Sequence, residues 1–97
     1  MHKGVARLED KCTGHGWFGS RPNIEASENV FVNGKGAHAV GHRWASHKCG
    51  KRSHDGVLAT GAARVYVNGR KLGHIDAEVS CGSLVKDGSD NVFVNPD

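Results

Sequence analysis

Val30-Phe31-Val32-Asn33-Gly34 decides the fold of this chain, because the sequence writes the same phrase more than once. It recurs as Val65-Tyr66-Val67-Asn68-Gly69, and its opening returns at the C-terminus as Val92-Phe93-Val94-Asn95. An Asn-Gly pair after β-branched and aromatic residues is a strong hairpin signal, since both central positions of a type I′ turn need positive φ. Such repetition within 97 residues predicts three similar units arranged about an axis.

The repeats extend beyond the hairpin phrase into a short apolar stretch and then a His or Cys. The residues that follow the two turns are Ala37, Val40, Gly41 and His47 in one copy, and Leu72, Ile75, Asp76 and Cys81 in the other. The N-terminal stretch Val5-Ala6-Arg7-Leu8-Glu9-Asp10 has the form of the second half of a unit. We therefore expect the two ends of the chain to lie close together and to complete one unit between them.

No stretch keeps a 3.6-residue apolar period over three turns, so the sequence predicts an all-β protein with little or no helix. Hairpins are predicted near residues 28–40 and 63–75. Residues 10–24 and 41–56 are rich in Gly, His, Cys and charge. We expect these two segments to be loops that carry the chemistry.

Length and composition indicate one small domain that needs a stabilising cross-link, such as a disulfide or a bound metal. The chain has no long apolar run and no apolar signal segment at its N-terminus. A domain this small with few large apolar side chains has a weak core. Three Cys residues, an odd number, argue against a framework of disulfides alone, and with seven His residues they favour a bound metal instead.

The His and Cys residues fall into clusters that could supply the four N or S ligands of a structural zinc. The candidates are His15, then His47, Cys49 and His54, and then Cys81. No CxxC pair and no HExxH motif is present, so neither a zinc ribbon nor a helical metalloprotease is indicated. The alternative is that these are ordinary surface histidines and buried free thiols. Solvent-facing positions are expected for His2, His38, His42 and His74, and buried thiols for Cys12 and Cys49.

Together these residues resemble the PAAR-repeat proteins, which cap the spike of contractile phage tails and of type VI secretion systems. The resemblance covers nearly the whole chain and is carried by Val5-Ala6-Arg7-Leu8-Glu9-Asp10, Gly14-His15-Gly16-Trp17-Phe18, Arg21-Pro22-Asn23, Asn29-Val30-Phe31-Val32-Asn33-Gly34, Trp44-Ala45-Ser46-His47-Lys48-Cys49-Gly50, His54-Asp55-Gly56, Val79-Ser80-Cys81-Gly82-Ser83 and Asp90-Asn91-Val92-Phe93-Val94. The eponymous Pro-Ala-Ala-Arg is absent, and Lys35-Gly36-Ala37-His38-Ala39 and Arg70-Lys71-Leu72-Gly73-His74 stand in the corresponding places. The Gly-Asp pairs of the family become Gly41-His42 and Asp76-Ala77, so His42 falls at an Asp position.

The resemblance implies a small cone of short β-hairpins with pseudo-three-fold repeats around a vertex zinc site. One structural Zn²⁺ would be held by His15, His47, His54 and Cys81, with the replacement of one His ligand by Cys49 left open. The base of the cone would pack on a trimeric β-helical spike protein, one tip per trimer. We expect a single PAAR-like domain over residues 1–97 without an extension domain.

The implied function is that of a structural spike-tip protein, not an enzyme, that caps and sharpens a cell-puncturing spike. It would be made in the bacterial cytoplasm without a signal peptide. It would then sit at a virion tail tip or a secretion-system spike tip and meet the target membrane only transiently. The short chain and the altered motif favour a phage tail over a type VI system.

Two other functions remain as alternatives. A zinc-stabilised nucleic-acid-binding module is suggested by Lys48, Lys51 and Arg52 with Trp17 and Trp44 for stacking, but a net charge of +3 is modest and no nucleic acid is expected. Salt-dependent binding to single strands would favour it. A metal-dependent hydrolase would need an open position on the zinc, which four protein ligands would close. Asp55 could then act as a base, although a turn before Gly56 explains it as well.

Overall fold

The computed structural model describes residues 2–14, 19–49 and 52–97, and the side chains of residues 47–49 and 52–55 are outside that description. All regular structure in these residues is β-strand, and none of them forms a helix long and apolar enough to cross a membrane. The strands are β1 Lys3–Gly4, β2 Phe31–Val32, β3 Lys35–Gly36, β4 Arg43–Cys49, β5 Arg52–Val57, β6 Tyr66–Val67, β7 Arg70–Lys71 and β8 Phe93–Val94. The all-β prediction is confirmed.

The repeated phrase forms the hairpins that the sequence predicts. Strands β2 and β3 pair across the Asn33-Gly34 turn, whose φ angles are 55° and 77°, and β6 pairs with β7 across the Asn68-Gly69 turn, at 52° and 81°. The third hairpin is built from the two chain ends. In it Gly4 pairs with Phe93, as Gly36 pairs with Phe31 in the first hairpin. The expectation that the ends complete one unit is therefore confirmed.

A closed ring of backbone hydrogen bonds joins the three units at their centre. The Ala6 amide donates to the Gly73 carbonyl (3.0 Å), the Gly73 amide to the His38 carbonyl (2.8 Å), and the His38 amide to the Ala6 carbonyl (3.0 Å). The flanking bridges are cyclic in the same way: Val5 with His74, Arg7 with Ala37, and Ala39 with Leu72. Each unit donates a backbone hydrogen bond to one neighbouring unit and accepts one from the other, which is the pattern expected of pseudo-three-fold symmetry.

The apolar core has two layers. The base layer consists of Val5, Ala37, Ala62, Val67, Leu72 and Val94, with Val32 packed against it. Each unit contributes one of Val5, Ala37 and Leu72 and one of Val32, Val67 and Val94, and Ala62 adds to these pairs. The upper layer consists of Ala6, Cys12, Trp44, Leu58, Ala77, Val79 and Val85, with Val40 and Cys81 packed against it. Val67 and Val94 of the hairpins lie in the base layer, whereas Cys12 lies in the upper layer and Cys81 packs against it, so these valines and the two described cysteine side chains belong to different parts of the core.

The prediction of a loop over residues 41–56 is wrong. Strands β4 and β5 pair there as the longest hairpin of the described chain, with a register shift between Trp44 and His47. Of the residues in these strands whose side chains are described, only Trp44 is fully buried. The sequence therefore lacks the alternation of apolar and polar residues by which a strand is recognised.

The expected solvent-facing positions are wrong for two of the four histidines. His38 has no exposed surface and His74 is 7% exposed, while His42 is half-buried and His2 is exposed. His38 is buried because it occupies the central ring of hydrogen bonds. Its burial is a consequence of how the units meet, which a local sequence pattern does not encode.

Replacing Gly73 by Ala is expected to destabilise the fold by about 1–3 kcal/mol, because the ring leaves no space for a methyl group. A Cβ at Gly73 would lie 2.7 Å from both the His38 carbonyl oxygen and Leu58 Cδ2. Gly19→Ala is the matched control, since a Cβ there meets nothing within 4 Å. Urea unfolding of both variants checks the prediction, and equal midpoints would contradict it.

Candidate functional site

Three pairs of apolar residues form one exposed, pseudo-symmetric face on the hairpins. This base face consists of Val30, Phe31, Val65, Tyr66, Val92 and Phe93. The exposed fractions of its three valines are 37%, 38% and 39%, and those of Phe31, Tyr66 and Phe93 are 61%, 56% and 55%. Near-identical exposure in every copy means that the same surface is presented three times around the axis.

The aromatic residues of the base face are exposed because side chains alternate along each strand. The valine after each aromatic residue turns inward, so that Val67 and Val94 are buried in the base layer and Val32 packs against it. The aromatic residues do not enter the core, because the base layer is filled by these valines and by Val5 and Leu72 of the central stretches.

Polar side chains fix the position of one hairpin relative to the next. Asn68 Nδ2 donates to Asn29 Oδ1 (2.8 Å), and Asn33 Nδ2 donates to Asn91 Oδ1 in the same way (2.8 Å). The hydroxyl oxygens of Ser27 and Ser89 support these contacts by accepting from the amides of the residues that open each hairpin. The third junction has Ala62 where the others have Ser27 and Ser89, so two of the three junctions are locked by this network.

The turns that follow the central ring keep one geometry with different residues. Each has a positive φ in the equivalent position, at Glu9 (74°), Gly41 (89°) and Asp76 (75°).

In the first of these turns, a carboxylate accepts the backbone hydrogen bond. Asp10 Oδ2 accepts from the Arg7 amide (2.8 Å) and pairs with the Arg7 guanidinium (3.0 Å), which raises the pKa of Arg7. In the second, His42 Nδ1 accepts from the Ala39 amide (2.9 Å). Burial lowers the pKa of His42, which keeps that nitrogen an acceptor. His42 thus accepts the same backbone hydrogen bond in the second turn that Asp10 accepts in the first.

A cluster of two sulfurs and a buried cation lies in the upper layer. Arg21 is 4% exposed, and its guanidinium donates to Cys12 Sγ (3.0 Å) through Nη1 and to Cys81 Sγ (3.2 Å) through Nη2. Its Nε donates to the Ala45 carbonyl, and its Cζ lies 5.5 Å from the centre of the Trp44 ring. A buried guanidinium needs such partners, because moving a charged group out of water without new hydrogen-bond partners costs several kcal/mol of free energy.

The Cys12 thiol is fully buried, as the sequence predicts. Burial raises its pKa, but hydrogen bonds from the Arg21 and Gly14 amides, from Ser83 and from the Arg21 guanidinium outweigh burial and lower the pKa below its ordinary value. Ser83, which is also buried, lies 3.6 Å from Cys81 Sγ. The hydrogen bonds around Cys12 therefore favour a negatively charged sulfur at this residue more than water does.

Of the four predicted zinc ligands, only Cys81 has a described side chain. His15 lies outside the described residues, and so do the side chains of His47, His54 and Cys49. The backbone places His47 directly opposite His54 in the antiparallel β4–β5 pair. Within the described part of the chain no group of three His, Cys, Asp or Glu side chains could hold a metal, so the ligand set stays a prediction.

The residues present are compatible with zinc in two respects. Directly opposed residues of an antiparallel pair share one face of the ladder, which is a suitable arrangement for two ligands of one metal. The Cys81 sulfur is half-buried and held by a hydrogen bond from Arg21, and cysteine sulfur is a preferred ligand of structural zinc. Sequence reasoning missed Arg21, since a single Arg in Gly19-Ser20-Arg21-Pro22 gives no periodic or spacing signal.

Comparison with known proteins agrees with this geometry. A family model described as the PAAR motif matches residues 20–87. The NAD(P)(+) glycohydrolase toxin Tse6 and the (p)ppApp synthetase toxin Tas1, both from Pseudomonas aeruginosa, are each 30% identical to this chain over 77 residues. The matched region is 73% of this chain but only 18% of either relative. The family match extends over most of the repeated units, and the chain therefore belongs to the PAAR motif family.

Proposed function

We propose that this protein is a structural spike tip of a contractile injection machine. Its base face would cap a trimeric β-helical spike, one tip per trimer, and the opposite end would meet the target membrane transiently during puncture. The machine would be a phage tail or a type VI secretion system. The observation that carries the proposal is the base face, where one chain presents the same Val-aromatic pair three times with nearly equal exposure.

Symmetry supports this partner over others. A trimer ends in three identical strands, so a single chain that caps it must offer three similar contacts. Phe31, Tyr66 and Phe93 are such contacts, and exposed aromatic residues are common anchors in protein interfaces. Because the tip is one chain, its other end is free of three-fold symmetry and can narrow to a point.

One structural zinc, held by His15, His47, His54 and Cys81, would rigidify the tip. These ligands come from segments that are far apart in the sequence, and Cys81 packs against the upper layer. Zinc bound by such a set closes its coordination sphere and contributes directly to folding. A catalytic role would need an open position, so the proposed function is mechanical. The enzymatic activities in the names of the two relatives belong to those proteins.

Native mass spectrometry of the purified chain with a purified trimeric β-helical spike protein tests the proposal. The expected species is one chain carrying one zinc on each spike trimer. A zinc-bearing chain that does not bind the spike protein would contradict the capping role but support the zinc site. A folded, metal-free chain bound to the spike protein would contradict the zinc site but support the capping role.

Truncation of an aromatic residue on the base face is expected to weaken spike binding without unfolding the tip. Phe31→Ala, Tyr66→Ala and Phe93→Ala should each raise the Kd about tenfold or more, since buried aromatic anchors contribute at least ~1–2 kcal/mol. Ile24→Ala is the matched control, because Ile24 is 52% exposed but lies beside the long hairpin, hydrogen-bonded to Arg43. Equal Kd values for all four variants in biolayer interferometry would exclude the base face as the docking surface.

A further inference from the structure

We propose that Arg21 is a positioning residue for the metal vertex: its guanidinium is anchored by the Cys12 sulfur and holds the Cys81 sulfur in place as a zinc ligand. This inference rests on the proposed zinc site. It assigns a role to two residues, Arg21 and Cys12, that are not ligands. The structural basis is a continuous chain of contacts from the upper layer to Cys81.

The first step is the isolation of the Arg21 charge from carboxylates. Arg21 is 4% exposed, yet no carboxylate among the described side chains pairs with it. A guanidinium stays protonated in proteins, so a buried one needs negative or strongly polar partners. Among the described residues its hydrogen-bond partners are two sulfurs and the Ala45 carbonyl. These acceptors satisfy the guanidinium donors where no described carboxylate does so.

The second step is the rigidity of the guanidinium. Its plane is held on three sides, by Cys12 Sγ, by the Ala45 carbonyl and by the Trp44 ring. The Arg21 amide also donates to Cys12 Sγ (3.5 Å), so the same sulfur fixes both the backbone and the side chain of this residue. The remaining arm, Nη2, is thereby directed at Cys81 Sγ at 3.2 Å.

The third step concerns what this arm does for a metal ligand. Groups that hydrogen-bond to a ligand orient it, and their loss typically weakens metal binding about 10–100-fold. Cys81 lies in a turn before Gly82, whose φ is 107°, and the described side-chain partners of its sulfur are Arg21 and Ser83. Arg21 thus supplies the charged one of these two restraints on the position of the sulfur.

Arg21→Lys tests the role, because Lys keeps the charge but cannot contact both sulfurs and the carbonyl in one plane. We expect zinc affinity to fall about 10–100-fold in chelator competition. With Co²⁺ as the probe, the sulfur-to-cobalt charge-transfer band should weaken or shift, which a loss of stability alone would not produce. Arg70→Lys is the matched control, since Arg70 also donates to a carbonyl, that of Val40 (3.0 Å), but on an exposed surface.

Cys12→Ser provides a second test that leaves Arg21 in place. It should weaken zinc binding in the same direction but less, because serine keeps an acceptor for Arg21 but its smaller oxygen lies farther from the guanidinium than the Cys12 sulfur does. Zinc affinity and cobalt spectra of Arg21→Lys and Cys12→Ser that equal those of the wild type would overturn the positioning role. Failure of the wild type itself to bind zinc would instead refute the metal site on which the inference rests, so the two failures are distinguishable.

Discussion

Cys81→Ser is expected to lower the melting temperature of the zinc-loaded protein by tens of degrees. Structural zinc supplies ~10–16 kcal/mol in small zinc-binding peptides, which equals or exceeds the total stability of an ordinary domain. A loss of only about 3 kcal/mol would shift the melting temperature of a chain this size by roughly 12–24 °C. Differential scanning calorimetry of both proteins, loaded with equimolar zinc, measures the effect.

The metal-free proteins give the control that separates metal loss from packing loss. Cys81 is half-buried, and its described sulfur contacts are with Arg21 and Ser83. Serine occupies nearly the same volume and can accept from Arg21, so the substitution itself should be almost neutral. After chelation the wild type should therefore melt like Cys81→Ser, and the variant should not respond to the chelator. Equal melting temperatures in the presence of zinc would exclude Cys81 as a ligand.

The fold was predictable where a local signal repeats. The Asn33-Gly34 and Asn68-Gly69 turns each adopt the backbone that their residues favour, and the C-terminal copy predicted a hairpin shared between the chain ends. These features depend on residues close together in sequence or on a repeat that can be seen by eye.

Other features depend on tertiary contacts that no local pattern encodes. The long β4–β5 hairpin was missed because its described side chains contribute little to the core apart from Trp44. The burial of His38 arises at the meeting point of three units, and the role of Arg21 depends on Cys12 and Cys81 coming together in space. The zinc ligands His15, His47 and His54 remain predictions.

Acid is expected to destabilise this fold through His38, independently of any metal. His38 Nδ1 lies 2.7 Å from the Glu25 carbonyl, so Nδ1 carries the proton and Nε2 is left as a buried acceptor without a partner among the described residues. The pKa of His38 is lowered from 6.5 to about 4, chiefly by burial and to a smaller extent by the nearby His42, while the hydrogen bond to the Glu25 carbonyl and the charge of that residue oppose the shift. The Trp44 ring packs edge-on at 5.2 Å.

The direction of the pH effect follows from this lowered pKa. Between pH 6.5 and about 4 the unfolded chain binds a proton at His38 that the folded chain excludes. The stability that the neutral imidazole contributes is thus fully present above pH 6.5. It is lost as the pH falls towards 4, by about 3 kcal/mol in total. Below that pH both states are protonated at this residue, and the loss stops growing.

His38→Ala isolates this contribution, because the equivalent residue of the first unit is already alanine, Ala6. The variant should be less stable than the wild type at neutral pH, since it leaves a cavity. On acidification from pH 6.5 to 4 the difference between the two proteins should shrink by about 3 kcal/mol. Release of zinc by acid affects both proteins and cancels in the difference. Urea unfolding at each pH measures it, with His2→Ala as the exposed control. A difference that stays constant across this range would mean that His38 is protonated in the folded protein as readily as in the unfolded chain, and that its buried Nε2 has an acceptor partner after all.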